Sequence, residues 1–399
     1  MSVDDLKTKS IAAVQACASD LYDLSQEIWK NPELAFKEHH AHKVLTDFLE
    51  KQGFRVDRHY KLETAFRAVY GKDGGVHVCV ICEYDALPGI GHGCGHNLIA
   101  EVGVAAGIAI KAAIQDLKVK QPVKLTVMGT PAEEGGGGKN FLIQDGCFKD
   151  VDFAMMAHPF TYNVSRWRCL AVITLEVTYK GAASHPAYHT WEGTNALDAA
   201  VLCYSNISVL RQQMRPHHQV HADETPPSGA CNISVLRQQM RPQHQVHGII
   251  QNGGTHPDII PSETKLMFYL RAHSETELKN LEKRVVSCVE SAALATGCQV
   301  EYNFKRDASK YSNLIQNNTL ATLYERNAEV LGVTNCPDKS VTGAISGSTD
   351  MGNVTHVVPG IHPTFALPTD ASIHSRHFTE EAEVRIFAVP IRYITYVTV

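Results

Sequence analysis

Residues 76–97, VHVCVICEYDALPGIGHGCGHN, decide the fold, because an apolar strand there passes through a glycine-rich loop into a helix. In α/β sheets, ligands bind at loops on the carboxyl ends of the strands. Cys94 and His96 are separated only by Gly95, so both side chains can face one ion. The loop lacks the G-x-G-x-x-G spacing of a dinucleotide site. A flexible loop with an incidental thiol is the alternative interpretation.

Strands and helices alternate on both sides of this loop, and the alternation predicts an α/β fold. One long amphipathic helix is predicted before Asn31, and a second over His40 to Gly53. After the loop, a helix over Asn97 to Gln115 precedes two apolar strands, VKLTVMG and FAMMAH. We therefore predict a catalytic sheet domain with helices on its faces.

A smaller domain is predicted inside the larger one. Residues 168–305 have the pattern β-α-β-β-α-β, which is typical of a ferredoxin-like domain. We therefore assign residues 1–167 and 306–399 to the catalytic domain and residues 168–305 to an insertion.

The insertion contains a local duplication, in which Asn206–His221 recurs at Asn232–His247 with fifteen of sixteen positions identical and an offset of 26 residues. Two copies are too few for a solenoid. We predict that the domain uses the helix of the first copy and the strand after the second. Residues 217–243 should then form a surface loop, and the duplicated histidines should not be interpreted as a metal cluster.

The composition is that of an ordinary globular protein, with 44% hydrophobic and 20% charged residues among 399. The net charge of −5 gives no electrostatic reason to expect a nucleic-acid partner. No run of 18 apolar residues predicts a membrane span, and the first residues do not resemble a secretory signal. The 11 scattered cysteines indicate reduced thiols. We therefore expect a cytoplasmic protein.

Two adjacent glutamates, Glu133 and Glu134, follow another apolar strand in MGTPAEEGGGGKN, residues 128–140. Because neighbouring carboxylates repel each other, a cation should lie beside them. In a two-metal site, one carboxylate can bind metal while the other takes a proton from water. A solvated turn is the alternative interpretation.

Two histidines complete a candidate ligand set. His158 ends the strand FAMMAH, and His374 lies in ASIHSRHF near the C-terminus; alone, either could be an ordinary histidine. One soft thiolate, three imidazoles and a carboxylate suit zinc, with manganese as the alternative. The set is Cys94, His96, Glu134, His158 and His374.

These motifs resemble the M20 family of metallopeptidases, which holds aminoacylases, carboxypeptidases and amino-acid amidohydrolases. The resemblance covers nearly the whole chain, in the order NPELAFKEHHAHKVLTDFLEKQGF, EYDALPGIGHGCGHNLIAEVG, TPAEEGGGGK, WEGTNALDAAV, SGSTDMGNV and VVPGIHP. It is strongest to the branch that cleaves short dipeptides with a basic C-terminal residue, of the β-alanyl-lysine type. The resemblance thus implies a dipeptidase with two divalent metal ions.

The resemblance also implies roles for residues of the catalytic domain. Cys94 matches the ligand that bridges the two metals, Glu133 matches the general base, and Asp85 matches a carboxylate that orients a ligand. The terminal ligands would be His96, Glu134, His158 and His374.

For the insertion, the resemblance implies a lid that also forms a homodimer. His185 matches a histidine that reaches the neighbouring subunit's site, and Arg271 matches a residue that binds the substrate carboxylate. At Asp258 the family commonly has asparagine, and a carboxylate there cannot donate a hydrogen bond to the substrate carboxylate. Because of this residue, the duplication and an atypical C-terminal tail, a weakened, binding-only variant is one alternative. An N-acyl-amino-acid amidohydrolase is the other.

Overall fold

The computed structural model describes residues 2–116, 122–210, 245–338 and 347–383. The surface loop that the sequence predicts at 217–243 and the C-terminal tail after 383 lie outside these residues.

The described residues form two compact units. Unit 1 runs to Arg168 and resumes at Leu314. Unit 2 comprises Cys169–Asn313 together with a short later segment of the chain that ends at Ser348. The sequence placed the return to the catalytic domain at residue 306. The structure places it later because Tyr311 still pairs with Val172 inside unit 2.

A mixed six-stranded sheet forms the centre of unit 1. Numbered along the chain, its strands are β1 (Arg55–Arg58), β2 (Phe66–Gly71), β3 (Val76–Cys82), β4 (Val123–Gly129), β5 (Phe153–Met155) and β11 (Gly360–Ile361). Their order is β1-β2-β4-β3-β5-β11, and the last four run parallel to one another. A separate parallel pair joins β6 (His158–Phe160) to β12 (Thr364–Ala366).

Helices surround this sheet, as the alternating sequence predicts. They are α1 (Val3–Ala16), α2 (Ala18–Lys30), α3 (His39–Lys51), α4 (His96–Asp116), α5 (Gly138–Gln144), α9 (Asn318–Val330), α10 (Met351–Thr355) and α11 (Arg376–Glu381). By length and composition α4 could cross a membrane, with a mean hydropathy of 1.6 over His96–Gln115, but 83% of that stretch is buried. It packs against β3 and β4 on one side and α1 and α2 on the other, so it is the core helix of unit 1.

The prediction of one long N-terminal helix is wrong. At Cys17 the backbone leaves helical geometry, with φ −113° and ψ 16°, and a second helix starts at Ala18. The apolar positions continue through the break, from Val14 to Leu21 and Leu24, and all three side chains are buried. Periodicity alone could therefore not reveal the interruption.

Unit 2 has the predicted β-α-β-β-α-β order. Its elements are β7 (Ala171–Lys180), α6 (Ala196–Leu210), β8 (Gln245–Asn252), β9 (Glu263–Ala272), α7 (Glu275–Thr296) and β10 (Gln299–Phe304), with a 3-10 turn (Thr190–Glu192) and a short α8 (Arg306–Ser309). The strands form an antiparallel sheet in the order β10-β7-β9-β8, against which α6 and α7 pack. This order is the ferredoxin-like arrangement.

Candidate metal centre

The three parallel strands at the middle of the unit 1 sheet, β4, β3 and β5, end at the same edge. Each is followed by polar side chains: Glu83 and Asp85 after β3, Glu133 and Glu134 after β4, and His158 after β5. Parallel strands bring their carboxyl ends together, which is where open α/β sheets bind ligands. Segments separated by tens of residues in the chain therefore meet at one place.

The loop after β3 adds Cys94 and His96 to this edge. Between them, Gly95 has a φ of 75°, and a Cβ at this position would lie 2.6 Å from Pro159 Cγ. Only glycine satisfies both constraints, so the loop can press closely against the segment that carries His158. Cys94 Sγ lies 3.5 Å from His158 Nε2 as a result.

Hydrogen bonds orient the two buried histidine rings in the same way. His96 Nδ1 lies 3.0 Å from Asp85 Oδ1, and His158 Nδ1 lies 2.7 Å from the Pro159 carbonyl oxygen. Since both partners accept hydrogen bonds, Nδ1 donates in each ring, and Nε2 is the nitrogen left to face a metal ion. This is the usual way in which a protein prepares histidine as a metal ligand.

A second group of ligands meets at Glu134. Its Oε1 lies 3.4 Å from His374 Nε2, and its backbone N–H donates to Asp85 Oδ2 at 2.9 Å. Asp85 therefore holds both the His96 ring and the Glu134 backbone. His374 has a φ of 64°, and its N–H donates to the Gly93 carbonyl at 2.7 Å, which fixes this otherwise half-exposed residue.

The side chains fit a pair of cations. Ligand atoms of Cys94, His96 and His158 lie within 4.8 Å of one another, and so do those of Cys94, Glu134 and His374, so the thiol is common to both trios. Among the described residues, the buried His96 Nε2 has no hydrogen-bond partner, and three carboxylate oxygens lie 3.6–3.9 Å away. That spacing is too long for hydrogen bonds. Buried ligand atoms that face one another without hydrogen bonds between them are typical of a site built for cations.

The two adjacent glutamates have different proton affinities. Burial, together with the charges of Glu83 and Glu134, raises the pKa of Glu133 well above its ordinary value. Burial also acts to raise the pKa of Glu134, but the hydrogen bond with His374 and the charge of His96 lower it overall. Glu134 thus favours the ionised form, which suits a metal ligand, whereas Glu133 favours the protonated form. Cations in the cluster would pull the pKa of Glu133 down again.

The sequence did not single out a buried charge cluster beside Glu133. Lys139 Nζ, from α5, donates to Glu83 Oε1 at 2.5 Å and to Asp350 Oδ1 at 2.6 Å, and all three side chains are fully buried. Carboxylate oxygens of Glu83, Glu133 and Asp350 also lie within 4.8 Å of one another. The lysine supplies a fixed positive charge among these acids. Lys139 and Asp350 lie in the motifs GGGGK and STDMG, but the spacing of these motifs in the sequence does not show that the two residues meet.

His362, which directly follows β11, is a second residue that the sequence reasoning missed. Its ring is fully buried 5.7 Å from the His158 ring and 5.2 Å from the Trp167 ring, measured between centroids. Neither ring nitrogen has a hydrogen-bond partner among the described residues. Burial and the neighbouring His158 lower the pKa of this imidazole, so it is neutral.

Three of the predicted residues belong to unit 2. His185 is exposed, and its Nδ1 accepts the Ala187 N–H at 3.1 Å. Arg271 lies on β9, where burial lowers the pKa of its guanidinium and its Nε has no partner among the described residues. Asp258 is exposed and pairs with His256. The other seven predicted residues meet in unit 1.

Similar proteins are consistent with this geometry. Residues 80–394 match the description Peptidase family M20/M25/M40. The chain is 44% identical to the Xaa-Arg dipeptidases of Mus musculus and Homo sapiens, in alignments that cover 94% of this chain and 83% of each relative. It is 30% identical to a p-aminobenzoyl-glutamate hydrolase protein of Escherichia coli, over 75% of this chain and 60% of that relative. A dinuclear metal-binding peptidase from Bacillus subtilis shares the fold, with a TM-score of 0.64, 16% identity, and coverage of 96% of this chain and 99% of that structure.

Proposed function

Because this chain belongs to peptidase family M20/M25/M40, we propose that it is a two-metal dipeptidase that cleaves short dipeptides with a basic C-terminal residue. The chain is a peptide-bond hydrolase. The relatives in mouse and human to which most of its length aligns are Xaa-Arg dipeptidases. The observation that carries the proposal is the pair Glu133 and Glu134, of which one joins the ligand cluster while the other stays protonatable beside it.

We assign Cys94 as the ligand shared by two ions, because its thiol belongs to both trios of ligand atoms. One ion would then be held with His96 and His158, and the other with Glu134 and His374. Zinc suits this mixture of thiolate, imidazole and carboxylate. When bound, such ions lower the pKa of a water molecule and polarise the scissile carbonyl.

The protein's own residues would move the proton and fix the geometry. Glu133 takes a proton from the attacking water and later delivers it to the leaving amine, so it acts first as general base and then as general acid. Asp85 keeps His96 in the tautomer that leaves Nε2 unprotonated. Lys139 offsets the negative charge of Glu83 and Asp350, which lowers the cost of ionising Glu133 beside them.

Unit 2 would supply substrate recognition and dimerisation. Arg271 has a guanidinium that can bind a carboxylate through two parallel hydrogen bonds, and its Nε has no partner among the described residues. His185 and Asp258 are exposed and thus accessible to a substrate or to a second copy of the chain. We also propose that the chain forms a homodimer through unit 2. We propose a cytoplasmic location as well, since all ten described cysteines are free.

A substrate panel with a metal analysis tests the proposal. Purified protein is loaded with zinc or manganese and assayed on β-alanyl-lysine, Xaa-Arg dipeptides, matched dipeptides with a neutral C-terminal residue, and N-acetylated amino acids. We expect two metal equivalents and preferential release of lysine and arginine. Turnover confined to the acetylated set would instead identify an aminoacylase. Two bound metals without any turnover would identify a binding-only protein.

A further inference from the structure

Besides His374, two non-glycine residues near the metal centre have left-handed backbone geometry. Ala132, which directly precedes Glu133, has a φ of 62°, and Phe36, in the loop before α3, has a φ of 60°. Such conformations are strained for residues other than glycine and persist only where the surroundings hold them. The chain direction at Ala132 determines where the side chains of Glu133 and Glu134 point.

Both strained residues are held by one carboxyl oxygen. Glu38 Oε1 accepts the N–H of Phe36 at 2.9 Å and the N–H of Ala132 at 3.0 Å. Glu38 Oε2 accepts the hydroxyl of Thr64 at 2.6 Å, and the residue is fully buried. Both oxygens of this buried side chain thus have hydrogen-bond donors, and the side chain connects its own loop with the turn after β4.

Packing reinforces the connection. A Cβ on Gly136 would lie 2.6 Å from Ala132 Cβ and 2.7 Å from Phe36 Cε2, so the two segments are in close contact at this glycine. The Gly136 N–H also donates to the Ala132 carbonyl at 3.0 Å, which closes the turn that contains both glutamates. The turn therefore depends on the loop that carries Glu38.

We propose that Glu38 is a positioning residue for the reaction: by accepting the Phe36 and Ala132 N–H groups, it holds the turn that aims Glu133 and Glu134. This inference rests on the proposed function only for the expected effect of Glu38 variants on turnover. The effect on the turn itself can be measured without metal or substrate.

Glu33 provides a matched control in the same loop. Its carboxylate also accepts two backbone N–H groups, from His40 and Ala41, each at 2.9 Å, but these belong to the start of α3. Glu38→Met and Glu33→Met each remove a carboxylate that accepts two backbone N–H groups. In both variants the methionine side chain has a volume similar to that of the glutamate it replaces. Glu38→Gln keeps an acceptor oxygen in the same place and serves as the rescue variant.

The experiment combines kinetics with hydrogen exchange. With saturating metal, we expect kcat of Glu38→Met to fall about 10- to 100-fold, since displacements near 1 Å have effects of that size, while KM changes little. Glu33→Met should lose thermal stability but keep its kcat, and Glu38→Gln should stay close to wild type. In metal-free protein, the amides of Ala132 and Gly136 should exchange faster in Glu38→Met than in Glu33→Met.

Several outcomes would overturn the inference. They are wild-type kcat in Glu38→Met, equal loss of kcat in both methionine variants, or Glu38→Gln as slow as Glu38→Met. If Glu38→Met does not fold, Glu38→Asp, which is one methylene shorter, replaces it with the same expectations. If the wild-type protein cleaves no dipeptide, the proposed function fails, and unchanged exchange at Ala132 would separately refute the positioning role.

Discussion

Glu101 should make the stability of unit 1 depend on pH with an unusual sign. This residue lies in the core helix α4 and is only 7% exposed. Burial raises the pKa of its carboxyl group from 4.5 to about 8, although a hydrogen bond with Ser25 acts to lower it. At neutral pH, folding therefore requires this side chain to take up a proton that the unfolded chain has released.

The sign and size follow from linkage. Below about pH 4.5 the group is protonated in both states and does not affect the folding equilibrium. As the pH rises towards about 8, only the unfolded state loses the proton, so stability falls and the loss levels off above the folded pKa. The difference between about 8 and 4.5, at about 1.36 kcal/mol for each pH unit, corresponds to about 5 kcal/mol.

Urea unfolding at pH 5, 7 and 9 in the presence of a chelator measures this effect. Trp29 and Trp167 lie in unit 1 and are half-buried, whereas Trp191 of unit 2 is 78% exposed, so tryptophan fluorescence mainly follows unit 1. Glu101→Gln should exceed wild type by no more than about 1 kcal/mol at pH 5 and by several kcal/mol at pH 9. The exposed Glu329→Gln is the control for a change of charge alone. If Glu101→Gln and wild type keep the same difference at all three pH values, the reasoning is refuted.

Three further predictions concern the metal centre. Glu133→Gln cannot accept a proton, so turnover should fall by about 10²–10⁴ while metal analysis still finds both ions; wild-type turnover would exclude Glu133 as the base. Cys94→Ser should lose metal, because a hydroxyl stays protonated at neutral pH, and unchanged stoichiometry would refute the ligand assignment. Lys139→Met should lower the free energy of unfolding by about 3–5 kcal/mol, since it leaves Glu83 and Asp350 buried without their counter-charge. Adding Asp350→Asn should restore part of that stability, and no recovery would contradict the charge argument.

The sequence determined the parts of this protein that depend on local pattern. The strand ending at Cys82 and its glycine-rich loop are recognisable because the apolar run and the turn residues are contiguous. The β-α-β-β-α-β order of unit 2 is recognisable for the same reason, since the periodicity changes at each element. Candidate ligands could be named because cysteine, histidine and glutamate residues that together follow apolar strands indicate a metal site.

Only the tertiary structure decided which of these residues meet. Alternation of strands and helices does not specify the order β4-β3-β5, and it is this order that brings Glu134, His96 and His158 to one edge. The hydrogen bond from the Ala132 N–H to Glu38 depends on a backbone conformation at Ala132 that no side-chain pattern encodes. Likewise, Lys139 lies between two acids from distant segments. Sequence periodicity reports the face on which a side chain lies, whereas contacts between distant segments arise only when the whole sheet has assembled.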